Sequence, residues 1–153
     1  MEFYMKPEEM RYCSTGEVHL DFHGSTYTGL KYLFDNYGME AVNEVLTATA
    51  EKVYKSICNR LRGGDTSELI CFWRYYLERE KCDFTLTETG DGGAVLELRE
   101  CPALRQLAKE KIDDRELMCH ATLKMNEVWC AGSPYEIITE PLEKGCRQTL
   151  KKR

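Results

Sequence analysis

The chain has 153 residues, 42% hydrophobic and 31% charged, with a formal net charge of -5. That length fits one domain, residues 1–153, able to bury about 70% of the surface its unfolded form would expose, and the composition lies outside the disordered class. The acidic balance leaves no global positive field to hold a phosphate backbone, so nucleic acid is not an expected partner.

Residues 1–16 form a weakly patterned N-terminal arm. It carries Glu2, Lys6, Glu8, Glu9 and Arg11, which interrupt any secretory apolar segment. No run approaches the roughly 18 apolar residues needed to cross a bilayer. The expectation is a cytoplasmic protein, with no membrane partner, whose eight cysteines remain thiols in a reducing compartment. Arg60, Arg62 and the closing Lys151, Lys152 and Arg153 read as solvated ends.

From Val18, the spacing through Phe22, Tyr27, Leu30, Leu33 and Phe34 predicts helical character, with a break at Gly24 and a stop at Gly38. A second helix is predicted over 39–61, where Val42, Val45, Leu46, Ala50, Val53, Ile57 and Leu61 recur every three or four residues. Gly63 and Gly64 end it. Asp65 followed three residues later by Glu68 has the form of a capping box, which predicts a third helix over 66–81.

The period then drops to two. Cys82, Phe84 and Leu86, the turn Gly90-Asp91-Gly92-Gly93, and Ala94, Leu96 and Leu98 predict a β-hairpin with one core face. Pro102 opens a short helix through Leu107 and Ala108. A longer helix is predicted over 114–130, with Leu117, Ala121, Met125, Val128 and Trp129 as its apolar stripe. Strands follow over 135–140 and 146–150. The fold class is α+β: N-terminal amphipathic helices packed on a roughly four-stranded antiparallel sheet.

The chemistry-bearing residues concentrate in the last third. Cys119, Leu123, Asn126 and Cys130 share one face of the predicted 114–130 helix, so two thiols and an amide look the same way. Cys101 directly precedes a helix start, where backbone N–H groups stabilise a thiolate, which makes it the first candidate for a reactive thiol. Cys146 enters the last strand and approaches Cys101 if their strands are neighbours. Buried, structural thiols are the competing reading for all of them. Cys101, Cys119, His120 and Cys146 carry atoms that zinc accepts, although there is no CxxC and the metal stays unknown.

His19 and His23 stand four residues apart, and His23 is a candidate proton carrier. GxSxG, P-loop and GxGxxG signatures are absent. The aromatic group Phe72, Trp73, Tyr75 and Tyr76 reads mainly as core and rim of the third helix, with Tyr75 and Trp129 as candidate walls of a ligand cavity.

The order of amphipathic helices, the hairpin ending in Cys101-Pro102-Ala103-Leu104, the helix carrying Cys119 and Asn126, and the terminal strand with Cys146 resemble the L-2-amino-thiazoline-4-carboxylic acid hydrolase-like family. The resemblance implies hydrolytic opening of a cyclic amidine ring. It also implies a fold related to small-molecule-binding domains of the four-vinyl-reductase type, some of which hold zinc through cysteines. On the hydrolase reading, Cys101 and Cys119 with His23 and Asn126 form the catalytic set, and His120, Tyr75, Trp129 and Cys146 bind substrate. On the alternative reading the same pocket binds or senses a small molecule without chemistry. An open sheet edge allows pairing with a second copy.

Overall fold

The structure is a computed structural model and describes residues 19–153; the N-terminal arm lies outside the described residues. Helix α1 (Asp21–Tyr37) runs unbroken through Gly24, correcting the predicted break. Gly24 is a contact point instead, since a side chain there would come within 2.8 Å of the Glu110 carboxylate.

The predicted 39–61 helix divides in three. α2 (Met39–Ala48) passes into a π-helical turn (Thr49–Val53), and α3 (Lys55–Arg62) follows a break at Tyr54. The Tyr54 amide reaches back five residues to the Thr49 carbonyl at 3.3 Å, inserting one residue into the turn and rotating everything after it. Ile57, Cys58 and Leu61 therefore enter the core while Val53 is left 72% exposed, although simple periodicity placed it in the stripe.

Helix α4 (Ser67–Arg79) also starts differently from the expected capping box. Asp65 accepts from the Ser67 amide at 2.9 Å, but Glu68 turns to Ser56 and Arg60. The Thr66 hydroxyl donates to the Gly92 carbonyl at 2.6 Å and ties the start of α4 to the hairpin turn.

Strands β1 (Phe84–Glu88) and β2 (Ala94–Leu98) form the predicted hairpin. α5 (Pro102–Lys109) begins on its proline. α6 (Arg115–Cys130) is capped by Asp114, whose carboxylate accepts from the Leu117 amide at 3.2 Å. β3 (Tyr135–Pro141) and β4 (Cys146–Lys152) complete a four-stranded antiparallel sheet in the order β1-β2-β4-β3. The protein is thus α+β, with most of its helices ahead of the sheet. No helix among the described residues is long and apolar enough to cross a membrane.

Two apolar clusters make the core. One gathers Ile57, Leu61, Leu69, Trp73, Leu96, Trp129 and Leu150 between α3, α4, the end of α6 and the sheet. The other gathers Tyr27, Leu30, Val42, Leu46, Leu107, Leu117 and Met118 between α1, α2, α5 and the start of α6. Met125 packs against both. α6 is therefore buried on more than one side, and the thiol-and-amide face merges with its apolar stripe: Asn126 and Cys130 are buried, while Leu123 is 47% exposed.

Candidate functional site

The chain leaving β2 turns through Cys101 into α5, and the Cys101 amide donates to the Lys144 carbonyl in the β3–β4 connection at 2.7 Å. Arg115, in the first turn of α6, holds the same connection. Its guanidinium donates to the carbonyls of Leu142 (2.7 Å), Glu143 (2.8 Å) and Gly145 (2.9 Å). Gly145 lies flush against β2, with no room for a side chain beside the Leu98 carbonyl.

Between α5, the start of α6 and this connection lies a cleft of about 580 Å³, inside the ordinary range of small-molecule sites, ~300–1,000 Å³. Its floor is apolar, with Cys101, Leu104, Leu107 and Ile112. Around it stand Arg105, Lys111, Arg115 and Lys144 together with Glu100, Asp113, Asp114 and Glu143, charges of both signs in equal number. Asp114 accepts from the buried Tyr27 hydroxyl at 3.1 Å. Arg105 is held loosely, at 3.3 Å from Glu100 and 3.4 Å from the Glu80 carbonyl.

Register brings the thiols together behind this cleft. Cys146 pairs with Leu98, three residues before Cys101, and its thiol lies close enough to Cys101 and Cys119 for their ionisations to be coupled. Burial pushes the Cys101 thiol up; the amides of Leu104 and Ala103 pull against it, though neither forms a hydrogen bond of ordinary geometry. Burial likewise raises Cys146, opposed by the Gln148 side chain, whose Nε2 donates to its sulfur at 3.7 Å. Asn126 completes the seam by donating to Gln148 Oε1 at 2.7 Å, with Thr139 at 3.5 Å. Of these residues Cys101 borders the cleft, whereas Cys119, Asn126 and Cys146 do not.

The remaining sequence candidates lie elsewhere. His23 meets Glu80 at 3.2 Å, both buried, and the Glu80 charge also reaches Cys101 and Cys82. His19 precedes the first residue of α1, so the two imidazoles do not share one helix face. His120 Nε2 donates to Asn43 Oδ1 on α2 at 2.6 Å. Tyr75 lines a second hollow, and Trp129 packs behind the Tyr54 and Phe72 rings of that hollow. No group of three or more His, Cys, Asp and Glu side chains among the described residues is placed to hold a metal ion.

Glu80, Arg105, Arg115 and Gln148 were not singled out from sequence. Gln148 had a legible signal, because alternation with Cys146 and Leu150 put a polar side chain on the inner face of β4. Glu80 and the arginines had none, being charged residues among charged neighbours. In comparisons with known proteins, no family model, no curated protein and no solved structure matches the chain.

Proposed function

We propose that the chain is a small-molecule-binding domain whose ligand occupies the cleft beside Cys101. One observation carries this reading: an apolar floor rimmed by four cationic and four anionic side chains. Such a rim suits a zwitterion, a compact molecule carrying a carboxylate and a protonated amine or amidine. Neither sign predominates, so an inorganic polyphosphate or a metal-bound anion is a poorer fit.

Between the two readings of the resemblance, binding without chemistry is favoured by the thiols. Burial and neighbouring negative charge hold Cys101 above the usual thiol range, so at neutral pH it rests as SH, a poor nucleophile. The ring-opening hydrolase is the second reading, supported by Cys101 standing at the N-cap of α5 and bordering the cleft. In that reaction water adds to the amidine carbon, the ring C–N bond breaks, and the departing nitrogen takes a proton as it becomes an amine. On this reading the buried His23–Glu80 pair, whose carboxylate acts on Cys101, carries that proton.

Calorimetric titration with 2-amino-thiazoline-4-carboxylate, a zwitterion of the required size, tests both. Saturable binding that Leu104→Trp abolishes by filling the cleft, with the fold intact, is the expected result; no binding, or binding indifferent to that substitution, refutes the site. NMR observation of the ring over hours separates the readings, since ring opening that Cys101→Ser abolishes favours the hydrolase and an unchanged ring favours binding alone. Cytoplasmic residence fits the same proposal, supported by seven free thiols among the described residues. A homo-oligomer formed through β1 or β3, the edge strands among the described residues, is a further element of it.

A further inference from the structure

A second hollow, of about 290 Å³, opens where α3 begins and α4 passes. Its walls are aromatic and stand at steep angles to one another. Tyr54 and Phe72 have ring centroids 5.3 Å apart at 78°, Phe72 and Tyr76 4.8 Å apart at 55°, and Tyr75 and Tyr76 5.2 Å apart at 80°. All four rings line the hollow, and an aromatic face carries the negative lobe of its quadrupole.

Glu68 is the charged side chain among those lining the hollow, held in place by the Ser56 hydroxyl and by Arg60 at 2.8 Å. One of these rings already accepts a cation: the Arg79 guanidinium carbon lies 4.7 Å from the Tyr75 centroid. The aromatic surface is also costly to leave bare. Tyr75 is 51% and Tyr76 37% exposed. The π-helical turn ends immediately before Tyr54 and rotates the chain at that wall, and such insertions are frequent at functional sites.

We infer that this hollow is an aromatic cage for a small alkylated ammonium group, a site separate from the cleft beside Cys101 and independent of what that cleft binds. The ammonium sits against the faces of Tyr54, Phe72 and Tyr76 with Glu68 at the rim. A hollow of this volume has room for a trimethylammonium head, and the rest of the ligand extends toward solvent across Tyr75.

The indole of Trp129 provides the readout. Its Nε1 is the buried side-chain polar atom left without a hydrogen-bond partner among the described residues, and its ring packs at 5.5 Å against both Tyr54 and Phe72. The full chain, labelled with ¹⁵N, is titrated with choline and separately with 3,3-dimethyl-1-butanol, its uncharged isostere, at constant ionic strength. The expected result is saturable movement of the Trp129 indole N–H resonance with a millimolar Kd for choline and about tenfold weaker binding of the alcohol. Tyr76→Leu, which keeps apolar bulk but removes the ring face, abolishes that preference while the amide spectrum elsewhere stays unchanged. Equal affinities for the cation and the alcohol, an unmoved indole resonance, or undiminished choline binding in Tyr76→Leu each overturn the assignment. Tyr76→Met serves as the alternative variant should Tyr76→Leu not fold.

Discussion

The bridge from Asn126 to Gln148 joins α6 to the inner face of the sheet, and its removal has a calculable cost. Asn126 is 4% and Gln148 6% exposed, so neither amide has water as an alternative partner. In Asn126→Leu the Gln148 oxygen keeps its burial and loses the donor at 2.7 Å. A buried polar group left unsatisfied costs about 1–3 kcal/mol, giving an expected loss of about 2 kcal/mol. Gln148→Leu strands the Asn126 amide with the long contact to Thr139 at 3.5 Å and costs about the same. The double replacement strands neither group, and an apolar pair of similar shape is nearly neutral. Urea denaturation followed by far-UV circular dichroism therefore shows two single variants with midpoints lowered by about 1 M and a double variant close to the parent, for a slope of about 2 kcal/mol/M. Two losses of about 2 kcal/mol each against a double variant near the parent make the coupling energy about 4 kcal/mol. Additive losses, or a single variant within about 0.5 kcal/mol of the parent, refute the bridge. Because Asn126 does not line the cleft, ligand affinity there stays unchanged in the double variant.

Gly145→Ala drives a methyl group into the Leu98 carbonyl and breaks the start of the β2–β4 pairing, an expected loss of more than about 3 kcal/mol in thermal melts. Gly29→Ala, in α1 with open space beside it, stabilises by about 0.5–1 kcal/mol and serves as the control. Under iodoacetamide at pH 8, mass spectrometry finds that, among the cysteines of the described residues, exposed Cys71 is alkylated first and Cys82 and Cys130 last, because burial pushes those two thiols up to about 12 and about 11. The folded state thus prefers their protonated form. Their contribution to stability is complete below the unfolded thiol range, about 8.5, and is lost as pH rises toward 11–12, so Cys130→Ala flattens the alkaline limb of a stability–pH curve. Asp65 behaves oppositely. Hydrogen bonds from Ser67 and then Arg60 hold its carboxyl down to about 2, so its contribution is complete above about pH 4 and is lost as pH falls toward 2. Asp65→Asn removes that window from acid unfolding monitored by circular dichroism.

Local periodicity carries much of this fold. The 3.6-residue spacing of α6, the strict alternation of β1 and β2 around Gly90-Asp91-Gly92-Gly93, and Pro102 at the head of α5 are each set by residues within a few positions of one another. The misreadings have equally local explanations. The π-helical turn shifts phase without altering residue types, so the stripe from Val42 to Leu61 looks continuous although Val53 leaves the core. Gly24 resembles a helix break because glycine has two uses, conformational freedom and absence of a side chain, and only the approach of Glu110 shows which applies.

The candidate site was legible in part. Cys101 at a helix start and Cys146 on an inner strand face could be placed from neighbouring residues alone. Which groups surround them depends on pairings far apart in the chain: Glu80 beside His23 across 57 positions, and Asn43 drawing His120 to α2 across 77. Sequence by itself determined most of the helical and strand segments and the inward faces of the regular ones, because backbone sterics and side-chain periodicity act over a turn or two. Tertiary structure alone decided that a charged-rimmed cleft forms at Cys101, that Cys119 and Cys146 come near Cys101 without lining that cleft, and that an aromatic hollow opens elsewhere. Strand order, helix crossing and the burial of polar partners arise from free energies of contact between elements, which no local pattern encodes.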